Sequence, residues 1–135
     1  MRTNQMLASR LLTYTFAVFL LCIGTDKIVQ TNLITDWQSL VGPVVHFLLP
    51  VDLGTIVMLE GVIELLLGVF LLTRWKAITL FVLMFTIAIV ATDLLILRYN
   101  NLAIREVILI VVCFAMYLLD ERTPEFWQIK TGAQT

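Results

Sequence analysis

Charge is what this chain has least of. Only 14% of its 135 residues are Asp, Glu, Lys or Arg, while 60% are hydrophobic. A soluble core cannot absorb that much apolar sequence without long polar faces, and the apolar runs here have none. Histidine is nearly absent, with His46 alone, so no His pair stands at haem or metal spacing. The two cysteines, Cys22 and Cys113, both lie inside apolar runs with no CxxC or CxxCH spacing, which excludes a disulfide framework, a zinc site and a haem attachment. They read as buried, inert thiols. Nine basic residues balance ten acidic ones for a net charge of −1, so there is no footprint for nucleic acid. No nucleotide-binding loop and no Ser/His/Asp grouping points to a stand-alone enzyme.

What is present is a set of long apolar runs. Four spans are expected, at about 9–27, 54–73, 75–97 and 103–119, in a single transmembrane domain. The fold class is therefore all-α, an integral membrane four-helix bundle in a lipid bilayer. The first span has the basic start and apolar stretch of a signal peptide, but no small-x-small cleavage site follows, so it is expected to be retained. Only Arg74 and its neighbours separate spans two and three, which makes them a tight antiparallel hairpin. Asn100 and Asn101 mark the turn before span four, with Tyr99 at the interface.

One connection is long, Ile28 to Leu53. Thr35 and Gln38 have capping-box spacing, and the LVGPVVHFLL that follows is apolar but too short to cross a bilayer. A short interfacial or re-entrant helix is expected there, carrying His46 as an interfacial group. Lys and Arg counts set the orientation. Arg2, Arg10, Arg74, Lys76, Arg122 and Lys130 share one side, against Lys27, Arg98 and Arg105 on the other. The bias predicts both termini in the cytoplasm of a bacterial-type inner membrane. Trp75 and Trp127 then belong to the inner interface and Trp37 to the outer one.

Small or polar residues recur at seven-residue intervals: Ala17 and Gly24; Gly54, Gly61 and Gly68; Thr79, Thr86 and Asp93; Glu106 and Cys113. Such stripes stay on one face where helices cross at about 20° and approach closely. The carboxylates are harder to reduce to packing, since a charged side chain near mid-bilayer costs about 2.5–3.5 kcal/mol on insertion scales. Glu60 and Glu64 lie roughly 9 and 15 Å below the outer end of their helix. Asp26, Lys27, Asp93, Arg98, Arg105 and Glu106 fall in the same outer half, and the inner half has almost no ionisable group within the membrane. Like charges one turn apart repel. At least one of Glu60 and Glu64 is therefore expected to be protonated, or salt-bridged to Lys27 or Arg105. The candidate polar site is Lys27, Glu60, Glu64, Asp93, Arg105 and Glu106. It reads either as a network fixing helix order or as an outward pocket for a proton, a cation or a quinone head group.

Three blocks resemble the DoxX-like family of small four-span membrane proteins: GTDKI (Gly24 to Ile28), ELLLGVFLLTRWKAITL (Glu64 to Leu80) and IREVILIVVCFAMYLLD (Ile104 to Asp120). The resemblance implies a four-helix membrane bundle. It also implies a link to respiratory or sulfur redox chemistry, since a related subunit belongs to a thiosulfate:quinone oxidoreductase. Lys27, Glu64 and Arg105 are the positions it carries over. Glu60 and the segment from Trp37 to Pro50 depart from the pattern. The expected function is a subunit or accessory of a membrane redox or other multi-subunit complex, with other membrane subunits or further copies of itself as partners. The alternatives are a small proton- or ion-coupled transporter and a purely structural scaffold.

Overall fold

The computed structural model describes residues 2–119, and the expectations for Phe126 and Trp127 lie outside them. Among the described residues the chain is all-helical. The order is α1 (Arg2–Val29), a 3-10 turn (Trp37–Leu40), α2 (Pro43–Leu48), α3 (Leu53–Leu71), α4 (Lys76–Ile96) and α5 (Asn100–Leu118). Four of these helices, α1, α3, α4 and α5, are long and apolar enough to cross a membrane. The protein is an integral membrane four-helix bundle with a short helix between its first two spans. With 19, 21 and 19 residues, α3, α4 and α5 each run about 30 Å, one bilayer core. The 28 residues of α1 run about 42 Å, so it is longer than a core is thick.

The helix ends follow local chemistry. Asp52 caps α3, accepting the Thr55 amide at 2.9 Å and the Thr55 hydroxyl at 2.7 Å. Pro43 opens α2, where a missing N–H costs nothing. At the end of α4, Arg98 turns left-handed (φ 63°), the Arg98 amide donates to the Leu95 carbonyl and the Tyr99 amide to the Leu94 carbonyl. This is a Schellman closure, here with arginine where glycine is usual. The turn therefore falls at Leu97–Tyr99, and Asn100 and Asn101 open α5 instead of forming the bend. The capping box expected at Thr35 is also not made: Asp36 precedes the 3-10 turn with no side-chain cap.

Packing is by pairs, α1 on α3 and α4 on α5, while α1 and α5 scarcely meet. The glycine stripe explains the first pair. A Cβ on Gly24 would stand 2.7 Å from the Gly61 carbonyl oxygen, and one on Gly61 would stand 2.8 Å from that of Gly24. Only hydrogen fits at this crossing. Gly68 is looser, with 3.3 Å to the Ala17 oxygen, and Gly54 lies at the helix end with no such contact. Away from the crossing, Phe16, Leu20, Leu71, Leu80, Cys113 and Met116 belong to one dry core in the half of the bundle remote from the α1–α2 connection. Leu11, Val18, Phe81, Phe85 and Val111 face outward, as a lipid-facing surface requires. Cys22 is also exposed, unlike the buried thiol expected there, whereas Cys113 is buried.

Candidate functional site

The close crossing at Gly24 and Gly61 sets up the site. One turn beyond Gly24, α1 brings Lys27 against α3, and Glu60 and Glu64 flank Gly61 on the facing side. The Lys27 ammonium lies 3.1 Å from Glu60 Oε2 and 2.8 Å from Glu64 Oε1. One cation thus bridges two carboxylates that would otherwise repel across a helical turn. The lysine side chain is 8% exposed and the glutamates 22% and 20%, so the group is largely desolvated and its pairing obligatory. Glu64 Oε2 is enclosed and accepts no hydrogen bond among the described residues.

The neighbouring Asp26 does different work. Its carboxylate accepts the Thr31 hydroxyl at 2.6 Å, the Leu33 and Ile34 amides at 3.0 and 3.2 Å, and the Trp37 indole N–H at 2.7 Å. Four donors on one buried carboxylate draw the start of the α1–α2 connection over the end of α1. Trp37, expected at the outer interface, is carried over the site, with its ring centroid 4.8 Å from the Lys27 ammonium, a cation–π distance.

Asp93 has a second task. It lines the cavity, as its place in the candidate site requires, and among the described residues it accepts the Val44 and Val45 amides at 2.7 and 2.9 Å, capping the N-terminus of α2 from the side of α4. Gly42 makes this possible: it has no side chain to cap with, and a Cβ there would run into the Asp93 carboxylate. The short helix is thus fastened to the bundle, and Val45 is buried beneath it. His46 points away and is exposed, so it has no part in the site.

On the far side, Glu106 Oε1 lies 3.6 Å from Arg105 Nη2, with Glu106 14% and Arg105 63% exposed. Of the two cations expected as partners for Glu60 or Glu64, Lys27 takes both glutamates and Arg105 pairs with Glu106 instead. Between these groups lies a cavity of about 110 Å³. Lys27, Glu60, Glu64, Trp37 and Glu106 line its polar part, and Phe16, Leu20, Leu67, Leu83 and Ile87 line its apolar part toward the core. Phe19 and Arg105 line it while also being exposed, which locates its mouth along the seam where α1 and α5 part. Trp75 stands elsewhere, exposed and 5.5 Å beneath the Arg74 guanidinium.

The arrangement can hold an amphipathic molecule, with polar atoms at the ionic end and an apolar body against the core or in the lipid. Among the described residues, no three His, Cys, Asp or Glu side chains converge as metal ligands. Sequence spacing identified Lys27, Glu60, Glu64, Asp93, Arg105 and Glu106 as neighbours of one region, and all six line the cavity. It missed Asp26 and Trp37 as builders of the site, because their link is a loop fold with no periodicity to read. In comparisons with family models, curated proteins and solved structures, nothing matches this chain.

Proposed function

We propose that the protein is a small DoxX-like membrane subunit or accessory of a redox complex, and that its cavity holds the ring of a quinone-class lipid. The observation that carries this reading is the joining of two unlike surfaces in one cavity: a Lys27–Glu60–Glu64 ion cluster under Trp37, and an apolar wall of phenylalanine and leucine. Ligand sites are typically apolar with a few convergent polar groups. A side opening along the α1–α5 seam suits a ligand that arrives through the bilayer. The excess of Lys and Arg on the side of the termini supports both termini in the cytoplasm of a bacterial-type inner membrane.

The experiment is extraction of the protein from its native membranes in mild detergent. The expected result is a larger assembly containing redox subunits, with quinone recovered from the purified protein and lost in the triple variant Lys27→Met, Glu60→Gln, Glu64→Gln, which leaves no unpaired buried charge. Isolation of a lone chain with no quinone would overturn the proposal.

A proton- or ion-coupled carrier is the second reading, favoured by the unpaired buried oxygen of Glu64. Four helices leave little room for alternating access within one copy. Flux in liposomes from purified protein, abolished in Glu64→Gln, would establish it.

A further inference from the structure

We infer that the cavity selects the reduced, hydroxyl-bearing form of a quinone-class lipid over the oxidised form, through Glu64. This rests on the quinone reading above and specifies which redox state the site is built to hold.

The argument is a census of hydrogen-bonding capacity at the inner end of the polar part. An ammonium has three N–H donors. Two of those of Lys27 serve Glu60 and Glu64, and the ammonium lies 4.8 Å from the Trp37 ring centroid. The indole N–H of Trp37 is spent on Asp26. Thr86, which also lines the cavity, donates its hydroxyl hydrogen to the Val82 carbonyl at 2.9 Å, leaving only acceptor capacity. The carboxylates of Asp26 and Asp93 are occupied by their own donors. Glu64 remains, with one oxygen held by Lys27 and the other enclosed beside the cavity without a donor. Apart from the Lys27 N–H left beside the Trp37 ring, the uncommitted capacity at this end is therefore that of acceptors.

An oxidised quinone presents two carbonyl oxygens and would set acceptor against acceptor here. Its reduced form presents two hydroxyls and supplies what Glu64 lacks. The last torsion of a glutamate is soft, so a small turn of the carboxylate brings an oxygen to a ring in the cavity. A water needs on the order of 10–15 Å³ by this measure, and the cavity, with about 110 Å³, has room for several water-sized groups. At the mouth, the Arg105–Glu106 pair offers both donor and acceptor and accommodates either form. Discrimination is thus made at Glu64. A hydrogen bond to a buried charged acceptor is worth about tenfold in affinity or more.

The test is a redox titration of a decyl-substituted benzoquinone/hydroquinone couple, bound to the full chain in lipid nanodiscs and compared with protein-free nanodiscs at the same pH. A tenfold preference for the reduced form raises the midpoint potential by about 30 mV for this two-electron couple. In Glu64→Gln the amide oxygen keeps the Lys27 bond and the amide N–H₂ takes the place of Oε2, turning an acceptor into a donor. There the shift reverses, and circular dichroism confirms that the helices are retained. Binding with an unshifted or lowered midpoint in the wild-type chain overturns the selectivity and leaves the quinone reading intact. Failure of both forms to bind overturns the two together. A shift that persists unchanged in folded Glu64→Gln removes Glu64 from the assignment.

Discussion

Lys27 and Glu64 lie 37 residues apart in sequence and 2.8 Å apart in space. The contact depends on two glycines that touch neither charge. Gly24 and Gly61 let the α1 and α3 backbones meet, and the ion cluster forms at that crossing, with Lys27 one turn beyond Gly24 and Glu60 and Glu64 on either side of Gly61. Close packing and charge pairing are one feature of this bundle.

Removing the cation should therefore damage the fold before it alters any chemistry. Lys27→Met leaves Glu60 and Glu64 desolvated and facing each other, and breaking a buried pair from one side costs roughly 3–5 kcal/mol. Thermal unfolding in detergent should show a large drop for Lys27→Met. Stability should be substantially recovered in the triple variant Lys27→Met, Glu60→Gln, Glu64→Gln, in which no unpaired charge remains. If the single variant melts like the wild type, the cluster is not a structural tie.

Gly24 and Gly68, both on the α1–α3 seam, should differ in tolerance. Gly24→Ala sets a methyl 2.7 Å from a backbone oxygen that cannot yield, whereas Gly68→Ala meets its nearest atoms at 3.3 Å. Overpacking of the first kind costs about 1–3 kcal/mol, and the second should cost clearly less. Denaturation midpoints of the two variants measured side by side decide this, and equal losses would argue against the close crossing.

Asp93 should control the short helix without contributing to ligand charge. Asp93→Ala leaves the Val44 and Val45 amides without acceptors, a loss of about 1–3 kcal/mol for buried groups. Hydrogen exchange at those two amides should rise by at least tenfold while exchange in the middle of α3 stays protected. Uniform deprotection of the bundle would mean that α2 is not a separable unit.

One pH effect lies outside the spans. The Thr55 hydroxyl and amide hold the exposed Asp52 carboxylate below its ordinary value of 3.8. A carboxylate lowered by folding contributes stability that is fully present above its unfolded value and is lost as pH falls through the folded one. Protection of the Thr55 amide should thus be flat from neutral pH down to about 4 and then decline. In Asp52→Ala it should be low and independent of pH across that range.

Much of the architecture was legible in the chain itself. Runs of apolar residues about 20 long admit only membrane helices, because a lipid-exposed backbone must satisfy its own hydrogen bonds. The seven-residue glycine spacing predicted a close helix seam, and the confinement of Lys27, Glu60, Glu64, Arg105 and Glu106 to one half of the bundle predicted a polar region there. Periodicity reveals which residues share a face and a depth, and both follow from helix geometry alone.

It could not reveal who pairs with whom. Asp26 and Lys27 are adjacent in sequence, yet one folds a loop and the other bridges α3. Asp93 has the same spacing as the other polar positions, but its partners are two amides of α2, brought within reach because Gly42 has no side chain. Trp37 reads from the sequence only as a membrane-interface residue, whereas in the fold Asp26 takes its indole N–H and the ring lies over Lys27. These choices depend on distances between segments far apart in the chain and on the irregular path of residues 30–42. Helical periodicity carries no information about either, so only the tertiary structure decided them.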